Sequence, residues 1–176
     1  MASRRTFLKA GVGASLALAL GGGIYRATQA TRVPSPLPPF ALDGEARAAL
    51  GAIAPAVLDG ALPAGAHRAE AVATVIGAVH RAILGLPLAT QHEIQDLFGL
   101  LALAPARRLL TGIAGPWADA PPAAVHAFLQ DWRTSQIGLL RAGYAALHDL
   151  VLAAWYAAPA SWDAIGYPGP PLELAP

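Results

Sequence analysis

His92 and Asp96 stand four residues apart, the spacing that places two potential metal ligands on one face of a helix. Two ligands do not make a site, because zinc takes three or four protein donors. The rest of the chain does not supply them. None of its acids has a His three residues later, as the Glu-x-x-His pairs of di-iron bundles do. No His is followed by another four residues on, so His92-Glu93-Ile94-Gln95-Asp96 lacks the second His of a zinc-protease helix. His67, His80, His126 and His148 are scattered one to a segment. With no Cys, the chain has no disulfide, no thiolate-held cluster or zinc, no Cys nucleophile and no C-x-x-C-H haem attachment. After residue 30 the only serines are Ser35, Ser135 and Ser161, and none sits in a Gly-x-Ser-x-Gly elbow. The glycines form neither G-x-G-x-x-G nor a Walker loop, and no pair of carboxylates is singled out for glycoside chemistry. The expectation is a chain with no catalytic, metal or cofactor residues of its own.

What must then be positioned is a surface. The 176 residues leave room for one domain, and 55% hydrophobic with 13% charged residues is enough to bury a core. The formal charge of +1 hides an asymmetry. Arg4, Arg5, Lys9 and Arg26 precede Thr31 with no acid among them, whereas the remainder holds eight Arg, no Lys and all eleven Asp and Glu, leaving a formal −3. Nucleic-acid binding needs clustered positive charge, so no nucleic-acid partner is expected.

Residues 1–30 read as an export signal: a basic start, a weakly apolar stretch from Ala10 to Ile24, and the small-residue end Thr28-Gln29-Ala30 with cleavage expected after Ala30. Ser3, Arg4, Arg5, Phe7, Leu8 and Lys9 match the twin-arginine consensus. The alternative is an uncleaved anchor, against which the short apolar run counts: fifteen residues at ~1.5 Å rise fall short of a ~30 Å hydrocarbon core. The twin-arginine translocase carries proteins already folded. A chain without a cofactor of its own would use that route to carry a partner across to the periplasm.

The exported part reads as all-α, a small irregular bundle of about five helices. A proline-rich linker occupies 31–42. Asp43 offers an N-cap for a first helix from Glu45 to Leu58, with Pro55 breaking or kinking its last turn. Val72, Val75, Ile76, Val79 and Ile83 form one stripe over His67 to Leu84. Thr90 and Glu93 match a capping box for a third helix limited by Ala104-Pro105, with a kinked turn following over Arg107 to Ile113. A fourth helix spans about Ala123 to Arg133. The fifth carries Ile137, Leu140, Tyr144, Leu147, Val151 and Trp155 as a buried seam. The helical domain thus covers 43–158, and the proline-rich tail 159–176 is expected to lie extended.

Of ten aromatics after Ala30, five lie between 144 and 167. Tyr144 and Trp155 fit the helical seam; Tyr156, Trp162 and Tyr167 do not. Aromatic residues on an extended segment suit a partner anchor, and equally a tail folded back over its own core.

The run from Trp155 to Pro171, WYAAPASWDAIGYPGPP, behind a twin-arginine signal resembles the C-terminal signature of a small-subunit family. These are the gluconate 2-dehydrogenase subunit 3-like proteins and the gamma subunits of bacterial FAD-dependent sugar dehydrogenases. Looser similarity runs through Ile53 to Leu58 and Phe128 to Ser135. The resemblance implies a non-catalytic subunit that accompanies a large flavoprotein of the glucose–methanol–choline type, supplies its export signal and supports its maturation. A multihaem cytochrome c often completes such complexes, which sit in the periplasm, peripheral to the inner membrane. FAD would belong to the partner, and Trp155, Tyr156, Trp162, Tyr167, Pro168, Gly169 and Pro170 would form the interface. Two other readings stay open: a stand-alone periplasmic helical enzyme with a metal or acid–base site assembled from separated residues, and a membrane-tethered structural protein anchored by residues 10–25.

Overall fold

Asp43 caps the first helix as its residue type predicts, its Oδ1 accepting from the Ala46 amide at 2.7 Å. The structure, a computed structural model, describes residues 39–169, with the backbone alone for Asp163 and Ala164. The export motif Ser3, Arg4, Arg5, Phe7, Leu8 and Lys9, the cleavage position Ala30, linker residues 31–38 and Pro170 lie outside the described residues.

Among the described residues six helices of eight residues or more follow one another: α1 Gly44–Val57, α2 His67–Leu84, α3 Leu88–Ala102, α4 Ala104–Thr111, α5 Pro122–Thr134 and α6 Gly138–Tyr156. A one-turn α7, Trp162–Ile165, closes the described chain, and no described residue lies in a strand. The all-α bundle matches the expectation. No described helix is long and apolar enough to cross a membrane.

α1 lies at the centre, packed by α2, α3, α5, α6 and the 3-10 turn Trp117–Asp119. Its buried face combines small and large residues, Ala46, Ala49, Leu50, Ile53 and Ala54. The α2 stripe turns inward as its spacing requires, with Val75, Ile76, Val79 and Ile83 all buried. Along the other side, Trp117, Phe128 and Trp132 form an edge-to-face ladder with ring centroids 5.7 and 5.6 Å apart. Each indole finds an acceptor: Trp117 Nε1 donates to the Leu101 carbonyl at 2.9 Å and Trp132 Nε1 to the Leu110 carbonyl at 2.7 Å. These bonds tie the ends of α3 and α4 to the aromatic ladder.

Several expectations are corrected. α1 runs to Val57 close to the expected bounds, with Pro55 inside its last turn rather than ending it, because a proline there costs one amide bond that the packing of α1 outweighs. α3 begins at Leu88 with Pro87 at its cap, so Thr90 is inside the first turn and makes no capping bond. Residues 104–111 form a helix of their own. Ala104-Pro105 does limit α3, which ends at Ala102, and Pro105 also occupies the first turn of α4, where its missing N–H costs nothing. Ile137 is the N-cap of α6 and 60% exposed, so the buried seam comprises Leu147, Val151 and Trp155 with Leu140 and Tyr144 half-buried.

Phe40, inside the bounds 31–42 expected for the proline-rich linker, belongs to the core. That ring is buried against Phe98 at 5.9 Å, and the Phe40 amide donates to Gln91 Oε1 at 2.9 Å. Gln91 Nε2 donates onward to the Leu86 carbonyl at 2.8 Å and to that of Leu84 at 3.2 Å. One buried amide therefore fastens the entering chain to the α2–α3 turn.

Candidate partner interface

The segment 155–169 is built from the end of α6 outward. Trp155 is in the core, 8% exposed, on the face it shares with Leu147 and Val151. Its neighbour Tyr156 points out, as consecutive helical residues must. Beyond α6 the tail departs from the extended reading: Pro159–Ser161 is a 3-10 turn and Trp162–Ile165 is helical. Pro159 falls at the first position of its turn, where a fixed φ assists helix entry. Ser161 is buried, and its Oγ donates to the Ala158 carbonyl at 2.8 Å.

The chain then doubles back in a Schellman motif. Gly166 has φ of +68°, and the Tyr167 amide donates to the Trp162 carbonyl at 3.0 Å. The apolar contact that accompanies this motif is the Tyr167 ring standing edge-on to Trp162, centroids 5.2 Å apart at 79°. Trp162 Nε1 donates to the Tyr156 carbonyl at 2.9 Å. Gly169 passes so close beneath the indole that a Cβ there would stand 3.1 Å from Trp162 Cζ3. The result is a hook centred on half-buried Trp162, with Tyr156, Ile165, Tyr167 and Pro168 exposed around it.

The structure thus brings together Tyr156, Trp162, Tyr167, Pro168 and Gly169 and separates Trp155 from them by burying it. Trp155, expected in the helical seam and also counted with the interface, is buried in the seam. Pro170 lies outside the described residues.

Among the described residues no three His, Asp or Glu side chains gather as a metal would need. His92 is half-buried on α3, and Asp96 is exposed one turn on. His148 stacks on Tyr144 with centroids 5.2 Å apart, and its Nδ1 lies 3.1 Å from Asp149 Oδ1. Arg107 carries a guanidinium that the sequence does not single out. It is buried on α4, donates from Nη1 to the Ala102 carbonyl at 3.2 Å, and approaches Glu45 Oε2 at 3.9 Å. Its Nε has no hydrogen-bond partner among the described residues. An apolar groove between α3 and α6 also escapes sequence reading, because its walls come from helices distant in the chain that only tertiary packing aligns.

Comparison of the chain with protein-family models, curated proteins and solved structures finds no match.

Proposed function

We propose that this chain is a non-catalytic accessory subunit that binds, stabilises and co-exports a large flavin-dependent dehydrogenase of the glucose–methanol–choline type to the periplasm. The observation that carries the reading is the hook: Tyr156, Ile165 and Tyr167, each at least 39% exposed, surround Trp162 within the same segment that bears the family-like signature. Solvent-facing aromatics held by a preformed backbone lose little entropy on docking, the property that makes them interface anchors. The run Ser3-Arg4-Arg5-Thr6-Phe7-Leu8-Lys9 adds a route for exporting a partner already folded around its cofactor. FAD then resides in the partner, and the periplasm is the destination.

The test is recovery of the tagged full chain from its native host, followed by an absorbance spectrum of what co-purifies. A large partner with a flavin spectrum supports the reading; an 18 kDa protein recovered alone sinks it. A second arm replaces Arg4 and Arg5 by Lys. The domain is expected to stay folded while it and its partner remain in the cytoplasm, and unchanged export of the partner would remove the co-export role.

A further inference from the structure

The groove between α3 and α6 has a volume of about 720 Å³ and an apolar floor that includes Ile94, Leu97, Leu140 and Gly143. Leu100 and Leu139 stand on its walls 44% and 76% exposed, which is where apolar side chains await a covering surface. Its charged lining residues are Glu93, Asp96 and Asp149, all exposed acids, and no Lys, Arg or His lines it. Outside the lining, His148 Nδ1 lies 3.1 Å from Asp149 Oδ1, which leaves Glu93 and Asp96 as the acids without a basic neighbour in contact among the described residues. From Thr90 to Leu100 the α3 wall is about 15 Å long, and from Leu139 to Ala153 the α6 wall is about 21 Å, by the rise of an α-helix.

We propose that this groove seats a cationic amphipathic helix of the partner subunit. The inference rests on the accessory-subunit reading in requiring a protein partner. Three features select the occupant. Both walls are helices whose backbone groups are already bonded internally, so an extended peptide would lose water from its N–H and C=O groups and find no ladder to replace it. A helix brings its own satisfied backbone and lays apolar residues spaced three and four apart onto the floor. The acidic rim then pairs with Lys or Arg flanking that apolar face. A second copy seated groove to groove would set Glu93, Asp96 and Asp149 against their own counterparts, which like charges oppose. An anionic lipid surface meets the same repulsion.

The experiment places a photo-cross-linking amino acid at Leu139 and, separately, at Leu100 in the full chain expressed in its native host, and identifies the captured segment by mass spectrometry. The expected result is that both positions capture one segment of the co-purifying flavoprotein, apolar at positions three and four apart and carrying at least two Lys or Arg. In parallel, Asp96→Lys with Asp149→Lys is expected to lower partner retention at least tenfold at low salt and less at high salt. Capture of a segment without basic residues, of phospholipid, or of another part or copy of this chain overturns the proposal. So does unchanged retention in the charge-reversed variant. In those cases a flavoprotein that still co-purifies leaves the accessory reading intact, whereas its absence from the unaltered chain removes both. The altered positions are solvent-facing, and an unchanged far-ultraviolet circular dichroism spectrum certifies the fold of each variant.

Discussion

Gly143 on α6 lies so close to Trp132 on α5 that a Cβ at position 143 would stand 2.7 Å from Cζ3 and 3.2 Å from Cε3 of the indole. The ring cannot retreat freely, because Nε1 is fixed to the Leu110 carbonyl and its edge packs on Phe128. Gly143→Ala therefore sets two effects against each other. Helix propensity favours Ala by ~1 kcal/mol, and overpacking a fixed neighbour costs ~1–3 kcal/mol. We expect the clash to win, with a Tm lower by roughly 3–8 °C. On a Trp132→Leu background the same change should cost at least ~1 kcal/mol less, since neighbours sharing a contact are not additive. Equal costs in both backgrounds would show that the close approach is not the cause.

The helices were largely legible in the sequence. The α2 stripe and the Asp43 cap are local signals, and both elements appear where those residues place them. Less legible were positions at which one residue type has two meanings. Pro105 and Pro159 each follow a helix that ends before them, as their residue type predicts, and each also opens the next turn, where Leu103 and Ala158 just ahead have extended backbone. Trp155 and Tyr156 are adjacent aromatics in a family-like run, yet a rotation of ~100° between them sends one into the core and the other outward. The groove was illegible, since Asp96 and Asp149 become neighbours of one trough only through packing.

Gln91 supports a second prediction. Gln91→Leu removes the acceptor of the buried Phe40 amide and the donor to the part-buried Leu84 and Leu86 carbonyls, leaving these groups without their side-chain partner. Such groups cost ~1–3 kcal/mol each, and we expect a total loss of about 2–4 kcal/mol after partial relaxation. Hydrogen exchange localises it: the Phe40 amide should lose protection most, while Ala41 keeps its bond to Gln95 Oε1. Protection unchanged at Phe40 would show that the Gln91 amide does not hold the entering chain.

Arg107 yields a prediction of opposite sign. Its guanidinium is buried with Nε unpartnered, and Glu45, 3.9 Å from Nη1, has a side chain 57% exposed. A buried charge so weakly compensated contributes through its packed stem more than through its charge. Arg107→Met should stay within about 1 kcal/mol of the original stability, whereas Arg107→Ala should lose ~2–4 kcal/mol through the cavity it leaves. Glu45→Gln should change stability by less than ~1 kcal/mol, as screened pairs do. Chemical denaturation decides, and equal losses for Met and Ala at position 107 would assign the contribution to the bond with the Ala102 carbonyl instead.

Whether the hook serves a partner or its own domain follows from comparing its aromatics with Trp155. Trp155 is packed with the core residues Leu147 and Val151 on the α6 face, so Trp155→Ala should cost ~3–5 kcal/mol of domain stability. Trp162 and Tyr167 instead pack chiefly on each other and on the end of α6. Trp162→Ala and Tyr167→Ala should therefore leave the domain within about 1 kcal/mol of its original stability while lowering partner retention at least tenfold, ~1.4 kcal/mol in binding. Gly166→Ala tests the geometry without removing an aromatic. Its φ of +68° costs a non-glycine residue ~1–2 kcal/mol, which should loosen the hook and weaken retention with both rings still present. Thermal unfolding and quantitative co-purification measured on the same four variants separate the roles. Should Trp162→Ala and Tyr167→Ala lower the Tm as far as Trp155→Ala, with retention falling only in step, the hook caps the domain and the partner anchor lies elsewhere.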